Sequence, residues 1–244
     1  MGEEQVLSLS AEFRHIDTPE VADFLLDLSE RLAVELPPLP YEIRVRLIVS
    51  EAANAFAVAG GNIYLTTGML LGVRNVAELA SVLAHEMGHV QAGHISQNYN
   101  RFRGASAAAE LSVVTLALIT GNPFLAGAGD VVTDVGSTAY ITSHSREAER
   151  EADQLAFDLM LAAGYDPRSQ LTLLSRLYLA SLDLQTAPAF LLTHPLPAER
   201  IEDSQVRLAN LTGFDALQVN DNGRLETVKR RLLELGVQQP QPQK

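Results

Sequence analysis

The sequence predicts an α+β fold in which helices predominate and one small β-sheet accompanies them. Most of the chain consists of segments in which apolar residues recur every three or four positions, the spacing of an amphipathic helix. Three short stretches, 41–50, 54–58 and 62–66, alternate or are uniformly apolar and predict strands. We expect one domain over residues 1–237 and a disordered Gln/Pro-rich tail over residues 238–244.

Caps and breakers set the expected ends of the helices. Thr18 starts the first helix and Pro37 stops it, while Gly164 ends the most strongly charged helix. The predicted helices cover residues 18–36, 76–93, 145–163, 167–184, 198–211 and 225–235, and a further short helix starts at residue 67. The Gly-Gly pair at 60–61 predicts a turn between the second and third strands, and the Pro-containing stretch 193–197 predicts a rigid loop.

Composition excludes several classes of site and partner. The formal net charge of −12 over 244 residues argues against a nucleic-acid partner, since a phosphate backbone attracts basic surfaces. The chain has no cysteine, so disulfides and thiolate zinc sites are excluded and any metal must be bound by His, Asp or Glu. The start, Met-Gly-Glu-Glu, is not a signal peptide, and we expect that a leader has already been removed.

Residues 105–142 are the least polar part of the chain, and no charge occurs between Glu110 and Asp130. A membrane span is disfavoured because Gly-Asn-Pro at 121–123 divides the run. Two buried or lid-like helices are the preferred interpretation. The segment is also a candidate for shallow contact with a membrane or with another protein, such as an outer-membrane protein.

The stretch 81–95 contains the pattern His-Glu-x-x-His. His85 and His89 are four residues apart and share one face of a helix, so both imidazoles can reach one metal ion. Glu86 projects beside that ion, where it can take a proton from water. The flanking residues are apolar, and a buried helix with two histidines and a carboxylate needs a partner for them. A metal site is therefore favoured over a chance occurrence of the pattern.

A catalytic zinc site usually has three protein ligands and one water. His94 is interpreted as structural, because on a continued helix it points well away from the face of the two motif histidines. Glu110 lies near the spacing of thermolysin-like enzymes but misses their register. Glu149 is the better third ligand, because Asp153 follows it on the same helix face and can accept a proton from a ligand histidine. The neighbouring charges Glu147, Arg150 and Glu151 are interpreted as a solvated face.

Taken together, these residues resemble a known family. His85-Glu-Met-Gly-His89, followed by Ser-Arg-x-x-Glu149-x-x-Ala-Asp153, is similar to the gluzincin peptidases of family forty-eight, which include HtpX and the CAAX prenyl proteases. Asn-Ala-Phe-Ala at 54–57, Gly-Gly-Asn-Ile-Tyr-Leu-Thr-Thr-Gly at 60–68, and Thr-His-Pro at 193–195 with Arg200 resemble its soluble bacterial, BepA-like branch. The resemblance runs from about residue 4 to about residue 211. The membrane spans of HtpX and the tetratricopeptide domain of the BepA-like proteins have no counterpart in this sequence.

The resemblance implies a zincin-type domain in which the two ligand helices cross beneath a cleft and the sheet forms its upper wall. One zinc ion per chain is expected, bound by His85, His89 and Glu149, with Glu86 as general base and Asp153 as a further catalytic residue. The strand 54–58, or its neighbour 62–66, is expected to bind an extended peptide by strand addition. The substrate-binding residues expected on these strands are Asn54, Ala55, Phe56, Asn62 and Ile63.

Two further residues, His194 and Arg200, have competing interpretations. One is an exposed loop histidine, with Arg200 paired to Glu199 or Glu202. The other, which the resemblance favours, takes both residues into the cleft. There, His194 donates to the oxyanion of the tetrahedral intermediate or occupies the open zinc position at rest, and Arg200 supports the developing charge or fixes the substrate backbone.

The predicted function is a zinc-dependent endopeptidase whose substrates are unfolded or misassembled proteins. The resemblance implies a role in cell-envelope protein quality control and hence a periplasmic location. A chaperone-like binding module that uses residues 105–142 and hydrolyses little is the alternative. A structural zinc site is disfavoured because closed sites prefer four Cys or His ligands and have no use for Glu86.

Overall fold

The computed structural model of the chain describes residues 13–97, 144–182, 188–195, 198–213 and 216–238. Its strands are β1 (His15–Ile16), β2 (Arg44–Ile48), β3 (Ala55–Val58) and β4 (Asn62–Thr66). Its helices are α1 (Pro19–Ala33), α2 (Thr67–Gly72), α3 (Val76–Gln91), α4 (Arg146–Ala162), α5 (Arg168–Ser181), α6 (Phe190–Thr193), α7 (Ala198–Ala209) and α8 (Arg224–Glu234). The predicted α+β class, mostly helical with one small sheet, is confirmed.

The predicted elements that fall on the described residues are present, and their ends differ from the predictions by no more than three residues. β1 and α6 were not predicted, because elements of two and four residues are too short to show a period. The predictions for residues 105–142, for Glu110 and for the tail beyond residue 238 lie outside the described residues. Among the helices that the structure describes, none is long and apolar enough to cross a membrane.

The four strands form one mixed sheet in the order β1-β2-β4-β3. β1 pairs with β2 antiparallel, β2 with β4 parallel, and β4 with β3 antiparallel. The β3–β4 hairpin turns at Gly60 and Gly61, which both have positive φ angles, of 83° and 77°. A Cβ at Gly61 would lie 2.5 Å from the Glu42 carbonyl oxygen, so only glycine fits there. Among the strands that the structure describes, this connectivity leaves β3 at an edge and puts β4 in the interior of the sheet.

Helix α3 runs through the middle of the molecule. It packs against α1, α4, α5, β3 and β4, and its side chains from Val76 to Val90 are all buried. A variant of the capping box fixes its start. The Asn75 side chain accepts from the backbone N–H of Glu78, and the Glu78 carboxylate accepts from the backbone N–H of Arg74, one residue before the N-cap. Arg176 on α5 pairs with the buried Glu78, with 2.8 Å between Arg176 Nη2 and Glu78 Oε2. The register of the central helix is therefore held by polar contacts at one end.

Helix α4 lies against α3 along its length and begins at Ser145, whose hydroxyl accepts from the backbone N–H of Ala148. The two helices approach each other closely at Gly88. A Cβ added to Gly88 would lie 3.0 Å from the carbonyl oxygen of Ala152 and 3.3 Å from the Cβ of Leu155. A residue without a side chain at position 88 is thus what allows α4 to lie directly on α3.

We expect Gly88→Ala to lower the free energy of unfolding by about 1–3 kcal/mol, the usual cost of overpacking. This cost exceeds the gain of about 1 kcal/mol that alanine brings to a helix interior. Gly72→Ala is the matched control, because a Cβ at Gly72 meets no atom within 4 Å. Chemical denaturation of both variants measures the difference. Equal stability of the two variants would show that the helices can separate at no cost.

Candidate metal centre

Helix α3 supplies the first part of the site. His85 and His89 are buried, and their Nε2 atoms lie 3.1 Å apart on the same helix face, as the four-residue spacing predicts. The two rings meet edge to face, with centroids 4.7 Å apart. Because both Nε2 atoms point to one position away from solvent, they need a shared proton or a cation between them.

Helix α4 supplies Glu149, which has no exposed surface. Its Oε2 lies 3.3 Å from His85 Nε2, and its Oε1 lies 3.2 Å from His89 Nε2. The contact depends on the close packing of the two helices where Gly88 meets Ala152. Gly88 is about one turn from His85 on α3, and Ala152 is about one turn from Glu149 on α4. The structure therefore brings together the three residues that the sequence predicts as ligands.

The segment after α6 supplies a fourth group. His194 is buried, and its Nδ1 lies 3.1 Å from Glu149 Oε1 and 3.3 Å from His85 Nε2. One ligand atom from each of His85, His89, Glu149 and His194 lies within 4.8 Å of the other three. Three imidazole nitrogens and one carboxylate oxygen around a buried point form a donor set that suits zinc. The residues present fit a zinc ion.

Asp153 and Arg200 lie directly behind the ligands. Asp153 Oδ1 is 3.0 Å from His85 Nδ1, so the carboxylate accepts the proton of that nitrogen and leaves Nε2 free to bind a metal. Arg200 donates from Nε and Nη2 to the two oxygens of Asp153, at 2.6 and 2.8 Å, and its Nη1 lies 2.5 Å from Glu149 Oε2. The same Nη1 donates to the Pro195 carbonyl oxygen, which fixes the loop that carries His194.

Charges within the cluster set the pKa values of the carboxylates. Burial favours the neutral acid most strongly, but the charges of His194 and Arg200 outweigh it and hold the pKa of Glu149 well below its usual range. At Asp153, too, Arg200 and His85 overcome burial and lower the pKa. Both carboxylates are therefore ionised near neutral pH, which is the form that a metal ligand and a histidine partner require.

The two motif histidines have pKa values shifted in opposite directions. Burial is the largest influence on both and lowers the pKa of His89 well below 6.5. At His85, burial is outweighed by Glu149 and Asp153, which raise the pKa from 6.5 to about 10. A proton and a metal ion compete for the same Nε2 lone pair, so the field that attracts a proton to His85 attracts a metal cation as well.

Glu86 is buried beside the cluster and differs from the other carboxylates. Neither of its oxygens makes a hydrogen bond of normal geometry within the described part of the chain, and Oε1 lies 3.4 Å from His194 Nε2. Burial raises its pKa, and the neighbouring His194, His85 and Ala57 backbone offset that effect only in part. A buried carboxylate with a raised pKa and no fixed partner is suited to take up and release a proton.

The sequence interpretation of His94 was wrong in its geometry. Helix α3 ends at Gln91, and Gly93 has a φ of 72°, so the chain turns back and the ring of His94 packs on His89. His94 is nevertheless outside the metal cluster, as the sequence predicts.

His144 was not identified from the sequence. Its ring stacks on His89 with centroids 3.8 Å apart, and burial lowers its pKa to about 3. Its position immediately before Ser145, the cap of α4, was the only signal available.

The structure also corrects the interpretation of residues 193–200. His194 and Arg200 are both buried, so the exposed loop histidine and the pairing of Arg200 with Glu199 or Glu202 are excluded. Arg200 does not reach into an open cleft, because its guanidinium is occupied by Asp153, Glu149 and the Pro195 carbonyl. Arg200 therefore contacts Glu149 and Asp153 of the metal centre and does not face substrate.

The strand residues divide into two groups. β4 is paired with β2 on one side and β3 on the other, so Asn62 and Ile63 cannot receive a peptide by strand addition. β3, which begins at Ala55 and includes Phe56, lies at an edge among the described strands. Strand addition of a peptide to β3 therefore stays a prediction. Asn54 lies just before it and is buried, with its side-chain oxygen accepting from the backbone N–H of Ala55.

The sequence model of Peptidase family M48 matches residues 16–207, more than half of the chain. The chain belongs to peptidase family M48. This result confirms the predicted peptidase family, and the donor set of the buried cluster fits the zinc cofactor that was predicted with it. The buried group of His85, His89, Glu149 and His194 is the part of this M48 domain that is suited to hold the ion.

Curated relatives have protease names. The β-barrel assembly-enhancing protease of Yersinia pestis is 30% identical over 208 residues, which are 85% of this chain and 43% of that protein. The mitochondrial metalloendopeptidase OMA1 of Schizosaccharomyces pombe is 31% identical over 163 residues, 67% of this chain and 45% of that protein. Metalloprotease LoiP of Escherichia coli (strain K12) is 26% identical over 167 residues, 68% of this chain and 63% of that protein. The chain spans less than half the length of the β-barrel assembly-enhancing proteases that it matches.

Glu149→Ala should lower zinc affinity by more than the roughly 10–100-fold that loss of a supporting residue costs, because it removes a direct ligand. Glu147→Ala is the matched control on the same helix, since Glu147 is exposed. Glu110→Ala should also keep zinc. Metal content after dialysis, measured on the three variants, decides between them. Loss of zinc from the Glu110 variant alone would place the third ligand outside α4.

His194→Ala should lower peptide turnover at least about a hundredfold, the typical cost of removing a transition-state donor. His15→Ala, which removes a histidine of β1 far from the cluster in sequence, serves as the control. Turnover of an unfolded protein is measured together with zinc content. A rise in turnover would instead mean that His194 occupies a ligand position at rest and has to leave before substrate binds.

Proposed function

We propose that this M48 domain is a zinc-dependent endopeptidase that hydrolyses internal peptide bonds of unfolded or misassembled proteins. The observation that carries the proposal is Glu86, a buried carboxylate beside the ligand cluster that is not itself among the clustered ligand atoms. A structural zinc site would have no need of this group, whose burial costs free energy unless its charge is used. A hydrolytic site needs a base at this position.

The roles of the residues follow from their contacts. Zinc, when held by His85, His89 and Glu149, polarises a carbonyl oxygen and makes water more acidic. Glu86 accepts a proton from the attacking water at a carboxylate oxygen and delivers it to the nitrogen of the leaving amine. The water oxygen bonds to the carbonyl carbon, and the C–N bond then breaks with its electron pair going to the nitrogen. The second proton of the water stays on the new carboxyl group. Asp153 keeps the His85 ring in the metal-binding tautomer.

A peptide substrate is proposed to bind along β3. The Asn54 carbonyl accepts from the backbone N–H of Thr66, so residues 54, 56 and 58 direct their backbone groups toward β4, and Ala55 and Ala57 direct theirs toward the open edge. The Ala53 carbonyl, one step earlier on the same side, is already occupied by the backbone N–H of Phe190. The open edge therefore begins next to α6 and passes Glu86, whose pKa the Ala57 backbone lowers. A peptide paired here would carry its carbonyl groups past the proposed base.

The biological setting is proposed from the relatives. Since relatives that match 85% of this chain are named β-barrel assembly-enhancing proteases, we propose that the enzyme works in the periplasm, in protein quality control of the cell envelope. Misassembled outer-membrane β-barrels are the proposed substrates, because such chains expose extended, unpaired strands that can add to β3. Contact with such proteins or with a membrane through residues 105–142 is part of the same proposal.

Glu86→Gln tests the proposed function. The variant should keep zinc, because Glu86 is not a ligand, and should lose at least about a hundredfold in hydrolysis of an unfolded protein such as casein. Zinc content and fluorescence of a quenched casein substrate are measured on the same preparation, with chelator-treated wild type as the reference. Near-normal hydrolysis by the zinc-loaded variant would contradict the role of Glu86. A zinc-loaded wild type that binds casein without cleaving it would favour the chaperone-like alternative.

The same inactive variant tests the substrate strand. Addition of a slowly dissociating peptide should slow amide hydrogen exchange at Ala57, whose N–H faces the open edge. Exchange should be unchanged at Phe56, whose N–H faces β4, and at Ala55, whose N–H already donates to the Asn54 side chain. Exchange measured residue by residue distinguishes protection of Ala57 alone from a general tightening of the fold. Protection of all three amides to the same degree, or of none, would contradict strand addition at β3.

A further inference from the structure

The two motif histidines have different partners on their second ring nitrogens. His85 Nδ1 contacts the buried Asp153, as described above. His89 Nδ1 lies 3.0 Å from His94 Nδ1, and His94 Nε2 lies 3.2 Å from Glu151 Oε2. The ring of His94 is buried, whereas 61% of the Glu151 side chain is exposed. A continuous series of polar contacts thus connects a metal ligand to the protein surface.

The local sequence places His94 there. The Ala92 backbone N–H donates to the Gly88 carbonyl and the Gly93 backbone N–H donates to the Val90 carbonyl, which closes the last turn of α3. Gly93, at a φ of 72°, then reverses the chain in a conformation that favours glycine. His94 consequently lies between the end of α3 and the first turns of α4, where Glu151 projects.

Hydrogen-bond chemistry determines where the protons lie in this series. A neutral imidazole has one N–H donor and one acceptor nitrogen. His89 must present an unprotonated Nε2 to bind a cation, so its proton is on Nδ1 and can be donated to His94. His94 then accepts on Nδ1 and carries its own proton on Nε2, where the Glu151 carboxylate accepts it. Each donor in the series has an acceptor, and only one arrangement of protons satisfies all contacts.

We propose that His94 is a positioning residue for zinc, supported by Glu151, which holds the His89 ring in its metal-binding tautomer and orientation. The inference rests on the zinc site of the proposed function but not on peptide hydrolysis. It assigns to His89 the support that Asp153 gives to His85. The two supports differ, because Asp153 is buried and held by Arg200, whereas Glu151 is mostly exposed and water can take its place.

The test compares four zinc-loaded variants. His94→Phe keeps the ring volume and removes the acceptor, and should weaken zinc binding about 10–100-fold, the usual effect of losing a ligand's supporting partner. His94→Asn puts an amide oxygen near the former Nδ1 and should recover most of that loss. Glu151→Ala should have a smaller effect than His94→Phe, and Glu147→Ala, an exposed glutamate of the same helix, should have none. Competition with a chromophoric chelator gives the dissociation constants.

A second measurement separates positioning from packing. In the zinc-loaded wild type with ¹⁵N-labelled histidine, NMR should show a slowly exchanging proton on His89 Nδ1, and this proton should exchange faster or be lost in His94→Phe. Equal losses of affinity in His94→Phe and His94→Asn, or an unchanged His89 proton in His94→Phe, would overturn the proposal and leave His94 a packing residue. If His94→Phe does not fold, the test uses His94→Asn and Glu151→Ala. Wild-type zinc affinity in Glu151→Ala, together with a loss of zinc affinity in His94→Asn, would overturn the proposal.

These outcomes are independent of catalysis. A wild-type protein that binds zinc, shows the predicted order of affinities and does not cleave casein would contradict the proposed function and support the role of His94. Casein cleavage by the wild type, with no change of zinc affinity in any His94 variant, would support the proposed function and contradict the role of His94.

Discussion

The interaction on which the site depends most is the buried contact of Arg200 with Asp153 and Glu149. Two carboxylates deep in a protein are costly, at several kcal/mol per ion, unless an opposite charge and hydrogen bonds satisfy them. Arg200 supplies both, since its planar guanidinium spans the two oxygens of Asp153 and reaches Glu149 from the same side. The ligand set can therefore be assembled and ionised before any metal binds, and α7, which carries Arg200, becomes part of the site.

The buried charges of Arg200, Asp153 and Glu149 can contact one another only because the helices around them lie very close together. Gly88 lets the backbone of α4 approach α3, and the capped starts of both helices fix how far each can slide along the other. A small change of separation would move Glu149 relative to both histidines at once. The site is thus a property of one helix pair, and the β-sheet completes it by bringing the edge of β3 alongside Glu86.

The support of the ligands is asymmetric. On the His85 side, the hydrogen bonds end at a buried ion pair, whereas on the His89 side they pass through His94 to a carboxylate in contact with solvent. Low dielectric strengthens the first set, and water competes with the second. His144, with a pKa lowered by burial, adds a neutral ring that covers His89 without adding charge to a cluster that is already crowded.

Local spacing was enough to predict the longer helices, strands β2 to β4 and the motif chemistry, because these depend on neighbours within a few residues. His85 and His89 share a face in any helix, and Glu149 and Asp153 do so in theirs. The sequence could not determine how the two helices meet, since that depends on a missing side chain at Gly88 and on distances between residues about sixty positions apart. For the same reason Arg200, expected from sequence to support the developing charge or fix the substrate backbone, lies behind the ligands. His94, expected to point away from the motif face, returns to His89 after a left-handed glycine. Only the strand order, which pairs β4 on both sides, decided that β3 is the open edge.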